Sequence, residues 1–166
     1  MKHLINKQLK GLIGLVLASI LFIACSSENQ INSSFSQEEI TQAINNDRWN
    51  FTAEHAMPSY GSSRIVTGVY TVRLRGDSLN VSLPYYGKLN SPAGAMSGNP
   101  LDFRSTNFKI EKQEKKAGEW MVTISRPDAE VQSMLFTFFD NGTAQANIVM
   151  TNRTGINFSG KVAPAK

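Results

Sequence analysis

Cys25 is the only cysteine in the 166 residues, and it stands directly after the apolar run 11–24. The chemistry open to a thiol at that place is acylation. Leu21-Phe22-Ile23-Ala24-Cys25 looks like a bacterial lipobox, although Phe22 stands where leucine is usual. The alternative is an ordinary secretory leader with an incidental or buried thiol, which would leave an unpaired cysteine in an oxidising compartment. Once Cys25 is acylated, no thiol remains for a disulfide, a metal site or a nucleophile. After the leader one histidine is left, His55, with Glu54 beside it. A zinc site needs three or four converging ligands. A triad needs a serine, a base and an acid held together. Regular strand alternation sets Glu54 and His55 on opposite faces. Ser59, Ser62 and Ser63 follow, without a Gly-x-Ser-x-Gly elbow. The sequence therefore predicts no enzyme, no metal and no cofactor.

Four other residues have side chains suited to binding. Tyr85 and Tyr86 adjoin a Gly- and Pro-rich stretch, and tyrosine offers a rigid apolar body with a polar tip. They make either a ligand platform or, in the structural alternative, a plug in which Tyr85 bonds a loop carbonyl. Arg153 lies in the turn before the last apolar run. Its guanidinium would clamp a carboxylate or phosphate, or else tie the terminal hairpin to Asp102, Asp77 or backbone carbonyls. Arg104 admits the same two readings.

The elements that must position these residues begin after a leader. Lys2, Lys7 and Lys10 precede the apolar run, as in a secretory signal peptide, residues 1–24. The run falls short of the roughly 20 residues that a spanning helix needs. Formal net charge is +4 for the whole sequence. Seventeen Lys plus Arg less those three lysines leave fourteen, against thirteen Asp plus Glu, a balance of +1. That balance lacks the basic excess of a nucleic-acid footprint. Residues 25–35 are polar and read as a lipidated tether.

Residues 36–166 then read as one β domain. Ser36-Gln37-Glu38-Glu39 is a capping-box pattern, and Ile40, Ala43 and Ile44 follow at helical spacing, which predicts a helix over 37–47. Beyond it the period becomes two. Runs at 70–75 and 79–83 flank Gly76-Asp77; runs at 108–111 and 120–125 flank a charged turn at 115–118. Runs at 134–139 and 144–150 flank Asn141-Gly142, which predicts a two-residue turn with positive φ at both positions. A first strand at 51–57, a short one at 64–69 and a last one from Ile156 to Val162 bring the total to about eight. Apolar-in, polar-out alternation with successive hairpins predicts an antiparallel meander β-barrel with one N-terminal helix. Ala144 and Ala146 face inward, either leaving room for a ligand or fitting beneath bulky neighbours. The irregular stretch 87–100 suits a lid over the barrel mouth.

Leu83-Pro84-Tyr85-Tyr86-Gly87, the Asn152-Arg153 pair and Ile156-x-Phe158-x-Gly160 together resemble an exported lipoprotein family of Bacteroidetes-type bacteria, domain of unknown function 4251. The resemblance runs over about 37–164, with Phe158 where tyrosine is also common. It implies a small lipocalin-like barrel with an N-terminal helix and carries no catalytic residue. The combined expectation is an outer-membrane lipoprotein, acylated (palmitate among its chains) at Cys25 and facing the periplasm, because only Glu28 is acidic near the cysteine. Its partners are the membrane, through the anchor, and a small ligand at a mouth formed by Tyr85, Tyr86, Arg153 and Arg104. In the alternative a solid barrel serves as an interaction module.

Overall fold

Each period-two run folds as an antiparallel strand because its apolar set can be buried on one side of a single sheet. The computed structural model describes residues 35–90 and 99–165. The expected leader, Cys25, the tether and the middle of the expected lid, 91–98, lie outside the described residues. Among the described residues one helix, α1 (Gln37–Asn45), precedes ten strands: β1 (Arg48–Pro58), β2 (Arg64–Ile65), β3 (Thr71–Arg75), β4 (Ser78–Ser82), β5 (Asp102–Ser105), β6 (Lys109–Lys116), β7 (Glu119–Ser125), β8 (Val131–Phe139), β9 (Thr143–Met150) and β10 (Ile156–Pro164).

Nine of these strands form one path, β5-β4-β3-β1-β10-β9-β8-β7-β6, with β2 paired to β1 off it. All pairs are antiparallel. The first and last strands meet in the middle, so the order is that of an up-and-down barrel, curled into a half-barrel. Among the described residues no ladder joins β5 to β6, and the seam of the curl lies there.

The interior explains the curl. Trp49 of β1 packs its ring 5.0 Å from Phe136 and 4.8 Å from Phe138, both on β8. Phe51 meets Phe136 at 5.7 Å. β1 and β8 are three steps apart in the sheet, which in a flat sheet is about 14 Å. Between them most of the inward positions are small, with Phe158 on β10 the exception. Ala53 pairs with Gly160, Gly160 with Ala144 and Ala144 with Phe138; one row on, Ala56, Phe158, Ala146 and Phe136 stand in line. The large rings lean over this low floor, so Ala144 and Ala146 fit beneath Phe136, Phe138 and Phe158. A side chain on Gly160 would run into the Thr52 carbonyl. That glycine is required for space, because β1 bulges opposite it.

α1 follows the capping-box pattern. The Ser36 N–H and hydroxyl donate to Glu39 Oε2 at 2.8 and 3.0 Å, and the Glu39 N–H donates to Ser36 Oγ at 3.2 Å. Ile40, Ala43 and Ile44 are buried. The helix ends two residues short of expectation because Asp47 turns left-handed, φ 53°. A glycine would adopt that φ without strain, but the Asp47 carboxylate has a partner. Lys112 Nζ of β6 donates to Asp47 Oδ1 (2.9 Å) and to the helix-end carbonyls of Ile44 (3.0 Å) and Asn45 (2.8 Å). An ammonium at the negative end of a helix is favourably placed, and this one fastens a seam strand to the helix.

Two expectations change in detail. Asn141 keeps negative φ, and only Gly142 is left-handed at 82°. The Gly142 N–H donates to Phe139 O at 3.0 Å, and Phe138 pairs with Ala144, so the loop has three residues. The Asn141 side chain accepts from the Thr143 N–H and hydroxyl instead. β5 was not expected; with four residues it is too short to display a period.

Two outcomes follow. Lys112→Met should destabilise the protein by about 1–2 kcal/mol, whereas Lys116→Met, which breaks an exposed pair with Glu119, should cost no more than about 0.5 kcal/mol; urea denaturation measures both. The Ser36 backbone N–H, and after it the Ser36 hydroxyl, hold the Glu39 carboxyl below its ordinary value of 4.5. A folded-state value below the unfolded one stabilises above the unfolded pKa and is lost as pH falls through the folded one. The stability difference between wild type and Glu39→Gln should therefore be full near neutrality and shrink in urea titrations well below pH 4.5.

Candidate functional site

Pro84 ends the run after β4, and the chain then crosses to the β9–β10 turn. There Leu89 forms an isolated antiparallel bridge with Arg153. The Thr154 N–H donates to Lys88 O, and the Asn90 N–H to Asn152 O, both at 3.0 Å. The Lys88 N–H donates to Thr154 Oγ1 at 3.0 Å. The Tyr85 hydroxyl donates to Thr154 O at 2.7 Å. It lies so close over Gly87 that any side chain there would strike the phenol oxygen. The Leu-Pro-Tyr-Tyr-Gly and Asn-Arg segments are thus two halves of one clasp. Both feet of the 91–98 stretch are tied down beside it, since Asn99 Nδ2 donates to Leu83 O (2.6 Å) and the Leu83 N–H to Leu101 O (2.8 Å).

Arg153 packs its guanidinium 5.7 Å from the centre of the Tyr85 ring. Its Nε donates to Glu130 Oε2 at 3.3 Å, with the two side chains only 9% and 14% exposed. This is an internal ion pair, and its partner is neither Asp102 nor Asp77. Nothing in the sequence signals Glu130, which lies 23 residues away in the β7–β8 turn. Tyr86 faces elsewhere, with Arg64 of β2 at 5.0 Å over its ring. Arg104 is exposed on β5 opposite Asn80. Of the four residues expected at the mouth, the structure therefore brings Tyr85 and Arg153 together, and it commits both to internal contacts.

His55 does not stand on the face opposite Glu54. The β1–β10 register shifts between Ala53 and His55, so Glu54 is an extra residue and both side chains lie exposed between the buried Ala53 and Ala56. Glu54 pairs with Lys161 at 3.5 Å. Among the described residues no three His, Cys, Asp or Glu side chains gather into a group that could hold a metal ion.

Large apolar side chains also face solvent, Leu89 within the clasp and three more on the connection between β1 and β3. Tyr60 is 65% exposed, Ile65 73%, Val69 86% and Leu89 44%. The first three belong to the connection between β1 and β3. Lys88 stands 5.8 Å from the Tyr60 ring, so this connection and the clasp segment meet. The short strand expected at 64–69 covers only Arg64–Ile65, and so brief a run fixes no face from which exposure could be read.

The clasp can be tested directly. Tyr85→Phe should cost about 1–2 kcal/mol through the lost hydroxyl bond. Glu130→Ala should cost about 3 kcal/mol by removing the carboxylate that pairs with the largely buried Arg153. Adding Arg153→Met to Glu130→Ala should recover part of that loss, as read by urea denaturation.

The family described as "Domain of unknown function (DUF4251)" matches residues 32–162. Among solved structures, the chain is similar to the crystal structure, at 1.95 Å resolution, of a DUF4251 family protein from Bacteroides eggerthii. The TM-score is 0.57 at 15% identity, and the match covers 77% of this chain and 87% of that one. No curated protein matches the chain.

Proposed function

The chain belongs to the DUF4251 family, and from that premise we propose that it is a non-enzymatic envelope lipoprotein, acylated at Cys25 at the outer membrane and facing the periplasm, that works by docking a partner protein. The leader pattern supports the anchor. The observation that carries the docking reading is the exposed apolar surface of Tyr60, Ile65, Val69 and Leu89. Exposed apolar groups grouped on one region mark an interaction site more often than single scattered ones do. Leu89 belongs to the clasp and Tyr60 meets it at Lys88, so the clasp holds this part of the surface in shape.

The interior gives this reading further support. The rings of Trp49, Phe51, Phe136 and Phe138 occupy the space in which a barrel-binding protein would hold an apolar ligand. A small ligand at the loop end is the second reading, favoured by a separate cleft there.

A photo-crosslinking residue placed at Ile65 or Leu89 in the native cell should give an adduct of discrete mass, while the same group at Arg73 on β3 should give none. Cys25→Ser should release the protein from the membrane fraction. No adduct at either position would contradict the docking surface. Continued membrane retention of Cys25→Ser would contradict the anchor alone.

A further inference from the structure

Among the described residues two other than glycine have positive φ, Asp47 and Arg126. Left-handed backbone costs an ordinary residue on the order of 1 kcal/mol, so each needs a reason for not being glycine. Asp47 has one in Lys112. Arg126, at φ 50°, has none within the protein. Its backbone N–H donates to Gln132 O at 2.9 Å, a bond that glycine would make equally well. It also precedes Pro127, and the residue before a proline is normally held extended. Among the described residues its guanidinium has no hydrogen-bond or ion-pair partner.

Arg126 lines a cleft of about 620 Å³ between the β5–β6 connection and the β7–β8 turn, a size ordinary for a small-molecule site. The Asn107 and Gln132 carboxamides line it too, and neither makes a side-chain hydrogen bond among the described residues. Other polar groups of the cleft are already used. The Thr151 hydroxyl donates to Ala129 O at 3.0 Å, and Ser105 Oγ accepts the Asn107 N–H at 3.2 Å. Asp128, the one carboxylate in the lining, accepts the Glu130 N–H on Oδ1 at 2.9 Å. What remains available is one guanidinium, two amide groups and the second oxygen of the Asp128 carboxylate, a like charge that an anion beside Arg126 must offset.

The geometry points to a binding site for a small oxyanion bearing further hydroxyl groups, with Arg126 taking the carboxylate or phosphate in bidentate fashion and Asn107 and Gln132 taking the hydroxyls. A planar fork of donors matches either anion, and carboxamides donate to and accept from hydroxyl oxygens. Strain kept at a residue with no internal partner is the mark of a position held for a ligand. The site is independent of the apolar docking surface.

The test uses the full mature protein in detergent, with calorimetric titration and thermal denaturation against inorganic phosphate, gluconate and, as the neutral control, sorbitol. Phosphate, gluconate or both should bind and raise the melting temperature, and sorbitol should do neither. A response to phosphate alone assigns a phosphoryl ligand, and one to gluconate alone a sugar acid; both support the site. Arg126→Gly should fold with an equal or higher melting temperature in the absence of ligand and should bind at least about tenfold more weakly. Asp128→Asn keeps the acceptor for the Glu130 N–H while removing a like charge, and should tighten binding about threefold or more. Binding of neither anion, an equal effect of sorbitol, unchanged binding in Arg126→Gly, or weaker binding in Asp128→Asn would each overturn the assignment.

Discussion

The contact of Trp49 with Phe136 and Phe138 across the inside of the sheet is the interaction on which the rest depends. It joins strands three places apart, and the alanines and the glycine of the intervening rows leave room for it, with Phe158 the one large side chain among them. Large residues at Ala144 or Ala146 would push the rings off the sheet and open the curl. Small residues in place of the rings would leave a hollow with no apolar surface to fill it. Size complementarity along two ladder rows therefore sets the curvature. Curvature in turn brings β6 close enough for Lys112 to reach the end of α1.

Because the interior is occupied by rings, the side chains left without apolar or polar partners lie on the outside and at the loop end. The clasp between residues 83–90 and 152–155 is a structural device there. Its tyrosine hydroxyl, its glycine and its arginine satisfy one another and the Glu130 carboxylate. The Leu-Pro-Tyr-Tyr-Gly segment is thus a fastening. Apolar side chains are unburied on the β1–β3 connection, and Arg126 has no internal partner in its cleft.

Much of this architecture was legible in the residues. Period-two alternation located β3, β4, β7, β8, β9 and β10, and the Ser36–Glu39 spacing located the start of α1. What alternation cannot give is a bulge, since Glu54 is an extra residue whose insertion depends on Gly160 on the neighbouring strand. Nor can it give an ion pair such as Arg153–Glu130, whose members are joined only by the fold. The close approach of Gly160 to the Thr52 carbonyl is likewise invisible in a period-two pattern. The αL backbone of Arg126 had no signal either, because an arginine before a proline suggests the opposite conformation.

A double-mutant cycle between Trp49→Leu and Phe138→Leu, followed by urea denaturation, tests the account at its centre. Ring contact across three strands should give a coupling of about 0.5–1.5 kcal/mol beyond the sum of the single variants. A coupling indistinguishable from zero would mean that the rings do not meet, and the account of a curl set by an occupied interior would fail with it.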